Sequence, residues 1–304
     1  MQKCDVTIIV PTSYIPSHPS TKIIETTIKN TRFHFPDNEI ILQIDGLRSE
    51  QSDYKKDYDE YKNRVLWKCL HEWENVLPII FNEHSHQSTM MKKTIKLVQT
   101  PLILYIEGDL PLRTDRDIDW NKCLDMFEYK KANTIRFYLR EEMPQEHYHM
   151  MCGQEDIFIK TVQWSQNPHL SFTSYYKDVI LPNVGETNYI EDEFYGKAQT
   201  DCEYLPEEEP ANVEPQEEPA TIDSEEEPVI EEPYVFKIRN WEAHKMFIYY
   251  PDNGQNVSRV LHLDGRQSTK KFTQDDDFWE YTSIEDAKKI LKESEMFKDD
   301  KDIL

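Results

Sequence analysis

Two carboxylates one residue apart, Glu107 and Asp109, follow the apolar run LILYI and are separated by Gly108. In an extended chain alternate side chains share a side, so both acids are expected to project the same way. Placed together they repel each other unless a cation lies close. Hard oxygen ligands of this kind suit Mg²⁺ or Mn²⁺, which keep open positions for phosphate oxygens and water. Gly108 removes side-chain bulk where a diphosphate would have to come near. The competing reading is an acidic turn that keeps a strand end wet, and E-G-D alone does not separate the two.

Such a pair needs strands to hold it. Residues 5–11 (DVTIIVP) and 39–44 (EIILQI) read as buried strands, the second running into Asp45-Gly46. A short strand at 77–81 and the strand 102–106 follow, with helices expected over 22–33, 53–73 and 87–98. This alternation predicts an α/β fold, a mostly parallel sheet flanked by helices on both faces. Parallel sheets carry their functional loops at the carboxyl ends of the strands. Pro11-Thr12, Asp45-Gly46 and Glu107-Gly108-Asp109 are therefore expected to open onto one edge. Further along, a helix is expected over 119–131, strands over 134–139 and 156–162, and a helix start within 188–197.

Residues 203–233 hold 13 acidic residues and no Lys or Arg, and are rich in Pro. Little there could be buried, so this reads as a disordered acidic insertion. Strand character resumes at 234–241, 245–250 and 257–263, with a turn at 251–254 and a helix over 283–297 that Ser283 would cap. The expected organisation is a nucleotide-binding and catalytic domain at 1–202, the insertion at 203–233, and an extension at 234–304 that completes or covers the active site.

Composition narrows the chemistry. The 304 residues suffice for one sizeable core. Only seven glycines occur, and neither GxGxxG nor GxxxxGK[ST] is present, so any nucleotide is held by side chains and a metal instead of a glycine cradle. Net charge is −23, leaving −10 once those 13 acids are set aside, which disfavours nucleic acid and anionic membrane surfaces. Five scattered cysteines without CxxC argue against a disulfide framework or a thiolate zinc site. The N-terminus turns polar too soon for a signal peptide, and no run approaches 18 apolar residues. A soluble cytoplasmic protein is the expectation.

A start of the type IIVPTS, an Asp after the second strand, and an apolar strand ending in a D-x-D-like motif together resemble GT-A glycosyltransferases near the large family 2, compact virus- and phage-encoded members above all. The resemblance spans roughly the first two hundred residues by pattern, and departs from it at Glu107, where Asp is usual. It implies a metal-dependent, inverting transfer from a nucleotide-sugar, by default a UDP-sugar, to a hydroxyl of a glycan or other acceptor. Mn²⁺ or Mg²⁺ would sit on Glu107 and Asp109, with His262 as a third ligand and Arg266 on the diphosphate. Pro11 and Thr12 would border the base, and Asp45 would accept a hydrogen bond from base or ribose. The segment 84–93 would close over the nucleotide, His86 contacting the donor or capping the helix, and Lys93 or Lys92 offsetting phosphate charge.

The resemblance also implies a carboxylate base in an E-D pair at a helix start, matched by Glu191-Asp192. Asp192 is then the base and Glu191 its competitor, though acids at a helix N-terminus also favour its dipole. A second pair, Glu155-Asp156, precedes a strand. Trp164 reads either as a sugar platform or as a buried ring, and His262 either as a ligand or as a structural histidine. Two other functions fit the same letters: a sugar-phosphate nucleotidyltransferase, whose glycine-rich loop is missing after Val10-Pro11, and a non-catalytic module acting through its acidic segment.

Overall fold

The computed structural model describes residues 1–186, 188–205, 238–251 and 254–263. Most of the acidic segment, the helix expected at 283–297 and Arg266 lie outside the described residues. Among the described residues nine strands form one sheet: β1 (Val6–Thr12), β2 (Ile40–Ile44), β3 (Val76–Ile80), β4 (Leu102–Tyr105), β5 (Thr134–Arg136), β6 (Met151–Glu155), β7 (Phe158–Thr161), β8 (His169–Phe172) and β9 (Met246–Tyr249), in the order β3-β2-β1-β4-β8-β5-β9-β7-β6. The half β3-β2-β1-β4 is wholly parallel. β8 and β7 run against the others, so the sheet is mostly parallel by strand direction.

Strand period two sorts the core into two layers. Ile8, Val10, Leu42, Leu102 and Leu104 face one side, against α1 (Lys22–His34), α2 (Lys55–His71) and α4 (Trp120–Glu128). Ile9, Ile41, Ile103 and Tyr105 face the other, against α3 (His86–Thr94) and α6 (Ile190–Asp201). That second layer also takes the irregular helix α5 (Thr173–Tyr175), which continues as a π turn over Tyr176–Ile180. The helix expected at 53–73 begins instead as a 3₁₀ turn, Ser49–Tyr54, before α2. Asp119 caps α4, its side chain accepting from the Lys122 N–H at 3.0 Å.

Residues 257–263 are extended, as expected, but make isolated bridges, Val260 to Leu112 after the acidic motif and Ser258 to Tyr138 just past β5, instead of a strand of the sheet. Leu263 N donates to Asp109 O and Leu261 N to Pro111 O, while Arg113 N donates to Arg259 O. All five cysteines are free. No helix among the described residues is long and apolar enough to cross a membrane.

Candidate active site

The carboxyl ends of β1, β2 and β4 open onto one cleft of about 470 Å³. Pro11, Thr12, Asp45, His86, Glu107, Gly108 and Asp109 all line it, together with Tyr14, Arg48, His84, Gln87 and Tyr189. The strand-end convergence expected from the sequence is thus present. Arg48 is the one Lys or Arg among the described lining residues.

Glu107 and Asp109 do not stay on one side. Leu110 N donates back to Glu107 O at 3.0 Å, and this turn breaks the alternation of the strand. Glu107 goes toward α3, where its Oε1 accepts from Gln87 Nε2 at 3.0 Å. Asp109 goes toward the segment 257–263, its Oδ2 lying 3.7 Å from His262 Nε2. Gly108 has a reason other than ligand access. A Cβ there would stand 2.9 Å from the Pro11 carbonyl oxygen and 3.3 Å from Thr12 Cβ, so the glycine lets β4 close against the end of β1. Gly108 N donates to that same carbonyl, and Thr27 Oγ1 holds Gly108 O.

Two carboxylates and an imidazole are the right kind of donors for Mn²⁺ or Mg²⁺. Among the described residues no group of three or more His, Cys, Asp or Glu gathers closely enough to hold a metal alone. A cation at this rim would complete its shell with phosphate oxygens and water.

Asp45 is 2% exposed, and its carboxylate accepts from three backbone N–H groups and pairs with the His84 ring. Oδ1 takes the N–H groups of Gly46 (2.8 Å) and Ser85 (2.7 Å), Oδ2 takes His86 N (3.2 Å), and the His84 ring pairs with Oδ2, its Nδ1 lying 2.9 Å away. Ser85 and His86 open α3, so Asp45 caps that helix from a neighbouring strand. Three backbone N–H groups and the nearby His84 ring thus occupy Asp45 with helix capping, beside the expected acceptance from base or ribose. Gly46 is forced by the same junction, since a Cβ would come within 2.2 Å of the Glu83 carbonyl carbon.

His86 begins α3 at φ 62°, a left-handed conformation that a histidine adopts at a cost. Burial holds its imidazole below the ordinary histidine range, and its ring packs edge-on against Tyr189 at 4.4 Å. Next to it, Gln87 is a hub that the sequence did not disclose. Its Nε2 donates to Tyr105 OH at 2.7 Å as well as to Glu107, and its Oε1 accepts from Ile190 N at 3.2 Å. One amide thus fastens Glu107 to the first residue of α6.

On that helix Asp192 is exposed and lies outside the cleft lining, while Glu191 is half-buried. Glu191 Oε2 accepts from Gln166 N at 2.8 Å. Glu193 binds Gly185 N and Asn188 Nδ2, closing the turn before the helix. Lys93 is exposed and sits 5.5 Å over the Phe81 ring in a separate depression, away from the cleft. Lys92 donates to Val184 O. Glu155 and Asp156 lie at the β6–β7 hairpin, paired with Lys131 and Lys122. Trp164 is buried against Phe194.

No protein-family model matches the sequence, and no curated protein matches it. Among solved structures the chain is similar to Staphylococcus aureus TarS 1–349 in complex with UDP-GlcNAc, with a TM-score of 0.43 and 13% identity over 64% of this chain and 52% of that one. It is similar to the mannosyltransferase PcManGT from Pyrobaculum calidifontis in complex with GDP-Man and Mn²⁺, with a TM-score of 0.40 and 10% identity over 64% and 51%. A UDP-glucose pyrophosphorylase complexed with UDP-glucose gives 0.39 and 11% over 64% and 87%. The chain spans about half the length of TarS 1–349 and of PcManGT. Likeness this distant carries no functional inference.

Proposed function

We propose that the chain is a metal-dependent glycosyltransferase moving a sugar from a nucleotide-sugar, a UDP-sugar by default, to an acceptor hydroxyl with inversion. The observation that carries this is the meeting of three parallel strand ends on one cleft with two carboxylates at its rim and His262 beside Asp109. A diphosphate entering there meets Glu107 and Asp109 with Arg48 as the sole described guanidinium, an arrangement that repels unless a cation intervenes. Asp109 and His262 would hold Mn²⁺ or Mg²⁺ together with phosphate oxygens and water, Glu107 adding negative charge at the rim, and the ion when bound stabilises charge on the departing nucleoside diphosphate. Asp192, exposed at the start of α6, takes the proton of the acceptor hydroxyl, while Glu191 is occupied with the Gln166 N–H and holds the loop beneath it. Pro11 and Thr12 form the floor of the nucleotide site.

The test is a panel of nucleotide-sugars with and without Mn²⁺, read by thermal unfolding and by release of the nucleotide. A ligand at a hundredfold excess over its Kd adds about 2.7 kcal/mol to stability, enough to raise the midpoint by several degrees. The proposal predicts that rise for at least one donor, with Mn²⁺ required. A flat response across the panel, with no nucleotide released, would remove it.

A further inference from the structure

Four protein nitrogens lie against the Asp45 carboxylate, and they are not equivalent. Three are backbone N–H groups. The fourth is the His84 ring, whose side chain is 28% exposed and lines the cleft. A carboxylate can only accept, so His84 Nδ1 carries the proton toward Asp45. The other nitrogen, Nε2, is then an acceptor in the neutral ring. Nε2 has no hydrogen bond among the described residues.

The ring is also held in place. Gly46 is packed against the backbone of Glu83 and His84, and the His86 ring stands 5.5 Å from that of His84. β1 lies between β2 and β4, so this end of the cleft is two strand spacings, about 10 Å, from the Glu107–Asp109 rim. A ligand whose diphosphate lies at the acidic rim can lay its nucleoside against this end.

We infer that His84 Nε2 accepts a hydrogen bond from the nucleoside part of the ligand, with Asp45 acting as a positioning residue that fixes the tautomer and the ring. The inference rests on the nucleotide reading above. Two groups of a nucleoside could donate: a ring N–H of the base, present in uracil and guanine but replaced by a lone pair in cytosine and adenine, or a ribose hydroxyl common to all four.

The experiment is isothermal titration of the full chain with UDP, GDP, CDP and ADP in the presence of Mn²⁺, repeated with His84→Asn and His84→Gln. Asparagine keeps a donor for Asp45 and lacks the second nitrogen, while glutamine reaches to about the depth of Nε2. With the base as donor, UDP or GDP binds at least about tenfold tighter than CDP and ADP. His84→Asn then erases that preference, and His84→Gln restores part of it. With ribose as donor, His84→Asn weakens all four by a similar factor at an unchanged unfolding midpoint. If both variants bind with wild-type affinities and wild-type order, the role of His84 is overturned while the nucleotide reading stands. Failure of the wild type to bind any of the four overturns both.

Discussion

Asp45 and Asp109 look alike in the sequence, each an acid just past a buried strand, and the structure gives them opposite characters. Asp45 is enclosed and joins β2 to the start of α3. Asn in its place would turn an NH₂ group toward donors and lose charge-assisted bonds. We expect Asp45→Asn to lower stability by roughly 2–4 kcal/mol, measured by urea unfolding. Asp109 is part-exposed at the cleft rim, so Asp109→Ala should move the unliganded unfolding free energy by about 1 kcal/mol or less while abolishing Mn²⁺-dependent donor turnover. Near-wild-type turnover in that variant would take the acidic motif out of the mechanism. Asp192→Asn should keep donor affinity and lose about 10²- to 10⁴-fold in transfer. Weakened donor binding instead would give Asp192 a different part. The sequence named both strand-end acids but could not rank them, because the ranking depends on donors from residues 84–86 that only the fold brings to Asp45.

Among the elements, α3 does most of the organising. Its first residues sit on Asp45, Gln87 joins Glu107 to α6, and Thr89 and Lys92 hold the carbonyls of Glu186 and Val184. Gln87→Leu would leave the Ile190 N–H without its acceptor and take one hydrogen bond from the Glu107 carboxylate. A loss of about 2–4 kcal/mol in urea unfolding is expected, and hydrogen exchange should rise first at the start of α6. Unchanged protection there would mean that the amide does not couple the two elements. The parallel half of the sheet was legible, since β1, β2 and β4 are β-branched or aliphatic runs buried on both faces. β8 was not. Three of its four residues (HLSF) are buried, yet of those three only Leu170 is apolar. The polar positions are satisfied by tertiary partners: His169 by Asn167 O and Tyr176 OH, Ser171 by Asn133 O. β6 (MCGQE) lacks alternation for a simpler reason, being a partly exposed edge strand.

For the whole molecule, buried histidines set a limit on acid tolerance. Burial pushes His18 down to about 3 and His169 down to about 4. His169 is satisfied in its neutral form, since Asn167 O can only accept from Nδ1 and Nε2 accepts from Tyr176. The unfolded chain titrates these rings near 6.5, so below that pH it binds protons the native state refuses. Stability is therefore fully present above pH 6.5 and lost as pH falls toward 4, by about 2 kcal/mol per histidine between pH 6.5 and 5. Urea unfolding at pH 7 and pH 5 checks this, and His18→Gln should flatten the drop. Equal stability at the two pH values would mean that neither ring is kept neutral by burial. The described residues on either side of 206–237 also meet, Asn240 N donating to Cys202 O and Asn240 Nδ2 to Asp201 O. Replacing residues 206–237 by a short Gly/Ser linker should thus hold the unfolding midpoint within a few degrees and preserve Mn²⁺-dependent nucleotide binding. Loss of binding would assign those residues to the site.

His262 reaches Asp109 across more than half of the chain, and it does so because residues 257–263 lie along residues 109–113. During synthesis the strands β1 to β4 leave the ribosome early and can pair while the rest is still being made. For all that time the acidic rim is bare of its imidazole. A nascent or prematurely terminated product lacking residue 257 onward would carry the Asp45 end of the cleft without His262 beside Asp109, so the rim is completed late in translation.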